Sequence, residues 1–171
     1  MKSLILFRHG KSDWDADDGR DHERPVSPRG ERAARTMGRF LTLAEQPPDS
    51  IVTSSAVRAR KSVELAMEAG GWKCSVRVTN ALYESTPARV LEEVRTEPQT
   101  TGTLLLAGHE PTWSELARQL TGGGKVRFPT ACMVRIDFET ELWKDVDFGS
   151  GEIIWLLPPK FFRRDSFEFA D

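Results

Sequence analysis

The chain has 171 residues and a formal net charge of −2, from 24 lysines and arginines against 26 aspartates and glutamates. This balance gives no sign of a general nucleic-acid binder, and 39% apolar with 29% charged residues is a folded, globular composition. No apolar run resembles a signal peptide or approaches the ~20 residues of a membrane span, so we expect a single cytoplasmic domain over residues 1–171 with no membrane partner.

Strand and helix signals alternate through the first half of the chain. The apolar run 4–7 predicts a buried strand, and the Ser-Pro pair at 27–28 predicts the start of a helix that ends before the prolines at 47–48. Residues 51–54 predict a second strand, followed by a helix that ends at the glycines 70–71. This order is typical of strand–helix–strand units.

The pattern continues in the second half. Residues 76–79 alternate between apolar and polar side chains, which predicts a half-exposed strand near a sheet edge. A Thr-Pro pair at 86–87 starts a helix, 103–107 is the clearest buried strand, and a helical apolar stripe begins at Trp113. Two more strands follow, at 133–138 and 153–157.

This alternation predicts an α/β fold, a three-layer α/β/α sandwich with a mostly parallel central sheet. The tail 161–171 holds four phenylalanines among charges, and we expect it to pack on the body because clustered exposed aromatics are unfavourable.

Chemically useful side chains follow four of the predicted strands. Arg8 and His9 follow the first, Arg58 follows the second, Glu84 the third and His109 the fourth. Open parallel sheets bind ligands beyond the carboxyl ends of their strands, so these side chains are expected to share one edge. Each alone is more simply a solvated or structural residue, and it is the ordered set that indicates a site.

The set suits a phosphoryl group. The guanidinium groups of Arg8 and Arg58 would clamp its oxygens, a neutral imidazole is a nucleophile for it, and a second imidazole would donate hydrogen bonds. Glu84 would protonate a leaving oxygen, and Gly10 would let the backbone approach the phosphate. Lys11 and Ser12, next along the chain, are expected at the pocket mouth.

Neither a metal nor another cofactor is expected. The two cysteines, Cys74 and Cys132, lie far apart in apolar surroundings and no paired Cys/His spacing occurs, so we expect reduced core thiols and no zinc site. Arg8 and Arg58 would supply the positive charge that binds the phosphoryl group.

The ordered motifs resemble those of the histidine phosphatase superfamily, with its phosphoglycerate mutase-like fold, and most of all its small SixA-type phosphohistidine phosphatases. The matching segments are 6–14, 24–30, 53–62, 82–85, 107–111 and 128–131.

This resemblance implies that His9 is the phosphorylated nucleophile and that Arg8, Arg58 and His109 complete the phosphate pocket. It places Glu84 where many members have a proton donor, although the SixA-type branch needs that acid less.

The sequence departs from the family pattern at two positions. Ser62 stands where many relatives have threonine and keeps the hydroxyl. Glu110 replaces a more usual Asn or Leu, and its carboxylate would either raise the pKa of His109 or point to solvent.

Short intervals between the site residues bear on the substrate. From His9 to Arg58, on to Glu84 and on to His109, the intervals are 49, 26 and 25 residues. The predicted elements largely take up these intervals, so insertions are minimal and no segment resembles a lid. An open site favours phosphohistidine on a protein, such as a histidine-containing phosphotransfer domain. The alternative is a small phosphoester with Glu84 as an essential acid, and a third reading, a phosphate-binding module without turnover, is disfavoured because all four pocket residues are intact.

The segment 13–23 is rich in acidic residues. A solvated loop is the simpler interpretation, and a rim that steers partners is the functional one. His22 within it is interpreted as a surface residue.

Overall fold

The computed structural model describes residues 1–16 and 19–162. In this part of the chain six strands and four longer helices alternate as predicted. They are β1 (Lys2–Arg8), α1 (Pro28–Leu43), β2 (Ser50–Ser54), α2 (Val57–Gly70), β3 (Ser75–Thr79), α3 (Pro87–Arg95), β4 (Thr103–Gly108), α4 (Thr112–Leu120), β5 (Met133–Phe138) and β6 (Gly151–Leu157). The tail prediction falls mostly on 163–171, outside the described residues.

The strands form one sheet in the order β3-β2-β4-β1-β5-β6. The first four run parallel to one another, whereas β5 and β6 are antiparallel to their neighbours. The prediction of a mostly parallel sheet is therefore confirmed. Parallel strands bring their carboxyl ends to one edge, which places the segments after β1, β2 and β4 side by side.

The sheet separates two hydrophobic cores. Leu4 and Leu6 of β1 face the core beneath α3 and α4, while Ile5 and Phe7 face the core beneath α1 and α2. A central parallel strand is buried on both faces, which explains why residues 4–7 are all apolar. At the edge, Val76 of β3 stays 42% exposed, as its alternating pattern predicts.

Local side-chain chemistry fixes the helix ends. The Ser27 hydroxyl accepts a hydrogen bond from the Gly30 amide (3.1 Å) at the start of α1, and Gly71 ends α2 with a left-handed φ of 69°. Both cysteines are free, Cys132 buried and Cys74 partly buried. None of the described helices is long and apolar enough to cross a membrane.

Helices α1 and α2 approach closely through a glycine. A Cβ added at Gly38 of α1 would collide with the carbonyl oxygen of Ala66 in α2. Only a residue without a side chain lets the two backbones come this near, so Gly38 sets the spacing of this helix pair.

Candidate functional site

Three strand ends bring the predicted site residues together. His9 follows β1, His109 follows β4, and Arg58 lies in the first turn of α2 after β2. The two imidazole centroids are 5.2 Å apart, and Arg58 Nε donates to His9 Nε2 at 3.3 Å. All three side chains are buried, with 7–8% exposure.

The hydrogen bonds of His9 assign its tautomer. Its Nδ1 lies 2.6 Å from the carbonyl oxygen of Gly10, which only accepts, so Nδ1 carries the proton. Nε2 then has a free lone pair, and it accepts from Arg58. The ring is thus held with an unprotonated nitrogen beside a guanidinium group, the form that a nucleophile requires.

Burial and positive neighbours keep His9 neutral. The pKa of His9 is lowered to about 4, with burial as the largest cause and the charges of Arg58 and Arg8 acting in the same direction. Near neutral pH the imidazole of His9 is therefore neutral, and no neighbouring base is needed to leave Nε2 unprotonated.

His109 is held by Ser54 on its other side. Its Nε2 lies 2.7 Å from the Ser54 hydroxyl, which also accepts from the Ala56 amide at 3.3 Å. Among the described residues Nε2 is the acceptor in reach of the hydroxyl proton, which leaves the proton of the neutral ring on Nδ1. Nδ1 is buried and has no hydrogen-bond partner among the described residues, so a neutral His109 has one donor to offer.

Glu110 takes neither of the two roles left open for it. Burial, followed by the charges of His9 and Arg58, lowers the pKa of His109 to about 3, so the carboxylate does not raise it. The carboxylate accepts from the amide (2.7 Å) and the hydroxyl (2.8 Å) of Ser114 near the start of α4.

Arg8 lines a cavity of about 830 Å³. Its Nη1 donates to the carbonyl oxygen of Phe128 (2.7 Å), while its buried Nε has no partner in the described part of the chain. Lys11 and Ser12 also line this cavity, Lys11 exposed and Ser12 buried. The unpaired nitrogens of Arg8 and His109 are the hydrogen-bonding capacity that an oxyanion would satisfy.

Gly10 lets the loop after β1 pack closely against α1, and its expected approach to a phosphate stays a prediction. A Cβ there would lie 2.6 Å from the carbonyl oxygen of Gly30 in α1. Its amide donates to the Ser62 hydroxyl (2.8 Å), which in turn donates to the carbonyl of Arg58 (2.7 Å). Ser62 thus ties the loop that carries His9 to the helix that carries Arg58.

Asp21 is a site residue that the sequence analysis missed. Its carbonyl and carboxylate oxygens accept from Arg58 (2.6 and 3.0 Å), and its carboxylate also accepts from the Tyr83 hydroxyl (2.8 Å). Burial alone would raise the pKa of Asp21, but these hydrogen bonds and the arginine charge hold it below its usual value. Asp21 therefore orients Arg58 from the acidic segment.

His22 also has defined partners. Its Nε2 lies 2.9 Å from the Ser55 hydroxyl, and its ring packs edge-on against Tyr83 with centroids 4.8 Å apart. The interpretation of a free surface histidine is too simple, since the ring joins the 13–23 segment to the loops after β2 and β3.

Glu84 lies apart from this group. Its side chain is exposed, its φ is 47°, and it is not among the residues that line the cavity. The preceding residue, Tyr83, points inward and contacts Asp21 and the ring of His109. A proton-donor role for Glu84 stays a prediction.

Arginines and Lys11 line the cavity at His9. Within 1–16 and 19–162 no group of three or more His, Cys, Asp or Glu side chains could hold a metal ion.

Comparison with known proteins shows which protein family this chain belongs to. Residues 4–89 match the model of the histidine phosphatase superfamily, branch 1. An uncharacterized protein of Mycobacterium tuberculosis is 31% identical over 164 residues, which cover 90% of this chain and 100% of the relative. The family match includes the segments that carry His9 and Arg58.

Solved structures share the architecture. One from Nakamurella multipartitia, assigned to the SixA phosphohistidine phosphatases, is 26% identical, has a TM-score of 0.79, and matches over 92% of this chain and 96% of its own. An alpha-ribazole phosphatase from Shigella flexneri is 17% identical, with a TM-score of 0.65 and coverage of 82% and 92%. The phosphoglycerate mutase-like fold predicted above is therefore confirmed.

Proposed function

Because the chain belongs to the histidine phosphatase superfamily, branch 1, we propose that it hydrolyses phosphohistidine on a protein through a phosphohistidine intermediate on His9. The observation that carries this proposal is the geometry around His9. Its neutral imidazole presents an unprotonated Nε2 beside Arg58, with His109 across the same space.

In the first step, Nε2 of His9 attacks the phosphorus and the P–N bond to the substrate imidazole breaks. The leaving imidazole takes a proton from solvent, and the arginines and Nδ1–H of His109 stabilise the phosphoryl oxygens. Water then attacks the same phosphorus, the bond to His9 breaks, and inorganic phosphate leaves. Imidazole is a good leaving group, so the reaction does not depend on a strong acid such as Glu84.

The shape of the site supports a protein substrate. The cavity at His9 is open to solvent, and in the described residues much of the chain between the site residues lies in α1, β2, α2, β3, α3 and β4. A phosphorylated side chain on another protein reaches such a site, whereas a small metabolite gains little grip from it.

A small phosphoester is the second candidate, because the fold is shared with an alpha-ribazole phosphatase. The variant Glu84→Gln separates the two. We expect little loss of kcat/KM on a phosphohistidine peptide and a larger loss on an alkyl phosphate, whose leaving oxygen needs a proton. Equal losses on both substrates would contradict this account of the leaving group.

Trapping the intermediate tests the proposal. Brief incubation with a ³²P-labelled phosphohistidine protein, followed by alkaline denaturation, should leave acid-labile label on the wild type and none on His9→Ala. Turnover should also survive EDTA. Label that persists in His9→Ala, or activity lost to EDTA, would refute the mechanism, and faster turnover of a sugar phosphate would refute the substrate class.

A further inference from the structure

A second cavity adjoins the site and runs along α1. It has a volume of about 980 Å³ and shares Lys11, Arg29, Arg127, Pro129 and Thr130 with the cavity at His9. We call it the basic groove, because its charged lining is cationic throughout, with no carboxylate among the described lining residues. Besides Lys11, Arg29 and Arg127, it is lined by Arg32, Arg35, Arg39 and Lys160.

The arginines of α1 lie on one helix face. Arg29, Arg32 and Arg39 are exposed and are spaced by three and seven residues, which keeps them on one side of a helix with 3.6 residues per turn. At ~1.5 Å per residue the row extends roughly 15 Å away from the site, about the length of five residues of extended peptide.

Several arginines elsewhere on the protein have acidic partners, whereas most of the arginines in the groove have none among the described residues. Arg77 pairs with Glu93 and Glu97, and Arg135 pairs with Asp137. Within the described residues, no ion pair forms at Arg29, Arg32, Arg39 or Arg127. Of the α1 arginines in the groove, Arg35 alone is paired there, with Glu68 at 3.1 Å.

The positive charge of the groove is not a consequence of overall composition. The chain carries a net charge of −2, so the cations here are segregated from a larger number of acids. Like charges held together without partners repel one another, and an acidic ligand would relieve that repulsion. The groove lining is partly apolar, with Ala33, Pro129 and Phe162, which suits the aliphatic parts of polypeptide side chains.

We propose that the basic groove docks an acidic segment of the substrate protein, next to the phosphorylated side chain that enters the cavity at His9. This inference rests on the proposed function, because it identifies the substrate of the same site as a protein whose surface is acidic beside its phosphohistidine. The groove would raise the affinity for the substrate protein and the rate at which it associates, while the reaction would take place at His9.

The test uses two synthetic phosphohistidine peptides of equal length, one flanked on both sides by glutamates and one by glutamines. The wild type should prefer the acidic peptide in kcat/KM by roughly tenfold at about 50 mM salt, and the preference should shrink at about 500 mM. In Arg32→Glu/Arg39→Glu the acidic-to-neutral ratio should fall to about one or below, with the neutral peptide as internal reference.

A matched control reverses two charges outside the groove. Lys73 and Lys144 are exposed and line neither cavity, so Lys73→Glu/Lys144→Glu makes the same change in net charge. This variant should keep the wild-type preference. A preference that falls equally in both double variants would reflect net charge alone and would overturn the docking proposal, as would a wild type that turns over both peptides equally.

Binding separates this proposal from the proposed function. Fluorescence anisotropy with His9→Ala and the same two peptides measures docking even if neither peptide is hydrolysed by the wild type. Tighter binding of the acidic peptide, abolished by adding the Arg32→Glu/Arg39→Glu changes, would support docking. Equal Kd values would overturn it, and tighter binding of a single-stranded oligonucleotide of equal charge would overturn the assignment to a protein.

Discussion

The state of His9 depends on two neighbours acting together. The carbonyl oxygen of Gly10 holds the proton on Nδ1, and the guanidinium group of Arg58 faces Nε2. Burial then makes the charged imidazolium costly, and so the pKa falls. The same reasoning applies to His109, which keeps a donor at Nδ1 although it is neutral.

This arrangement predicts the acidic limit of activity. His9 attacks only when unprotonated and its pKa is lowered to about 4, so kcat/KM should hold between pH 7 and pH 5 and fall as pH passes through about 4. Initial rates on a phosphohistidine peptide would be measured, with spontaneous hydrolysis subtracted using His9→Ala. A fall centred near pH 6.5 would contradict the buried, neutral imidazole.

Asp21 is expected to act through Arg58. Asp21→Asn removes the charge that accepts from Arg58 Nη2 and the Tyr83 hydroxyl, so the guanidinium group loses its orientation. We expect roughly a tenfold loss in kcat/KM, because Arg58 would be displaced as a hydrogen-bond donor to the transition state but would still be present. Tyr83→Phe should cost less, because Arg58 keeps both contacts to Asp21.

The control for Asp21 lies in the same acidic segment. Asp15 is exposed, and Asp15→Asn makes the same change in charge without touching Arg58. An equal loss in both variants would mean that the segment acts by its net charge and not through the Asp21–Arg58 contact.

At the scale of elements, α1 supports the loop after β1, which carries His9, through Gly30. A Cβ there would collide with the backbone of Lys11, two residues after His9, whereas a Cβ at Gly38 would collide with Ala66 of α2. Both glycines permit close backbone approach, but only Gly30 touches the loop that carries the site.

Alanine substitutions at these glycines should separate stability from activity. Gly30→Ala and Gly38→Ala should each lower the free energy of unfolding, by about 1–3 kcal/mol for an overpacked site. Gly30→Ala should in addition lower kcat/KM at a temperature where both variants are folded. If Gly38→Ala reduces kcat/KM as strongly, the site depends on general packing of α1 rather than on this contact.

At the scale of the whole molecule, the two buried histidines make stability depend on pH. Their folded pKa values, about 4 and about 3, lie below the ordinary 6.5, so the unfolded chain takes up protons first. Stability from these groups is complete above about pH 6.5 and is lost as pH falls toward 4. For His9 the full effect is on the order of 3 kcal/mol.

Urea unfolding at several pH values measures this effect. The wild type should lose stability between pH 6.5 and pH 4.5, and His9→Gln/His109→Gln should lose less over that interval because no imidazole remains to be protonated at those positions. Parallel curves for the two proteins would contradict the buried neutral histidines.

Much of the fold is predictable because its signals are local. The apolar run 4–7, the Ser27 cap and the exposed edge strand at Val76 each depend on neighbouring residues and on burial, and all three match the structure. The common edge for His9, Arg58 and His109 then follows from parallel topology. The contact that Glu110 makes with Ser114 does not follow from the sequence, because adjacency to His109 does not determine which partner its carboxylate meets.

The sequence by itself determined which elements form and which strand ends carry imidazole and guanidinium groups, because hydrophobic period and capping are read from adjacent residues. Only the tertiary structure decided how those groups are held. Asp21 meets Tyr83 across 62 positions of sequence, and the Gly10 amide meets Ser62 across 52. Contacts between such distant positions leave no periodic signal, and the basic groove likewise emerges only where α1 folds beside the loop that carries Arg127.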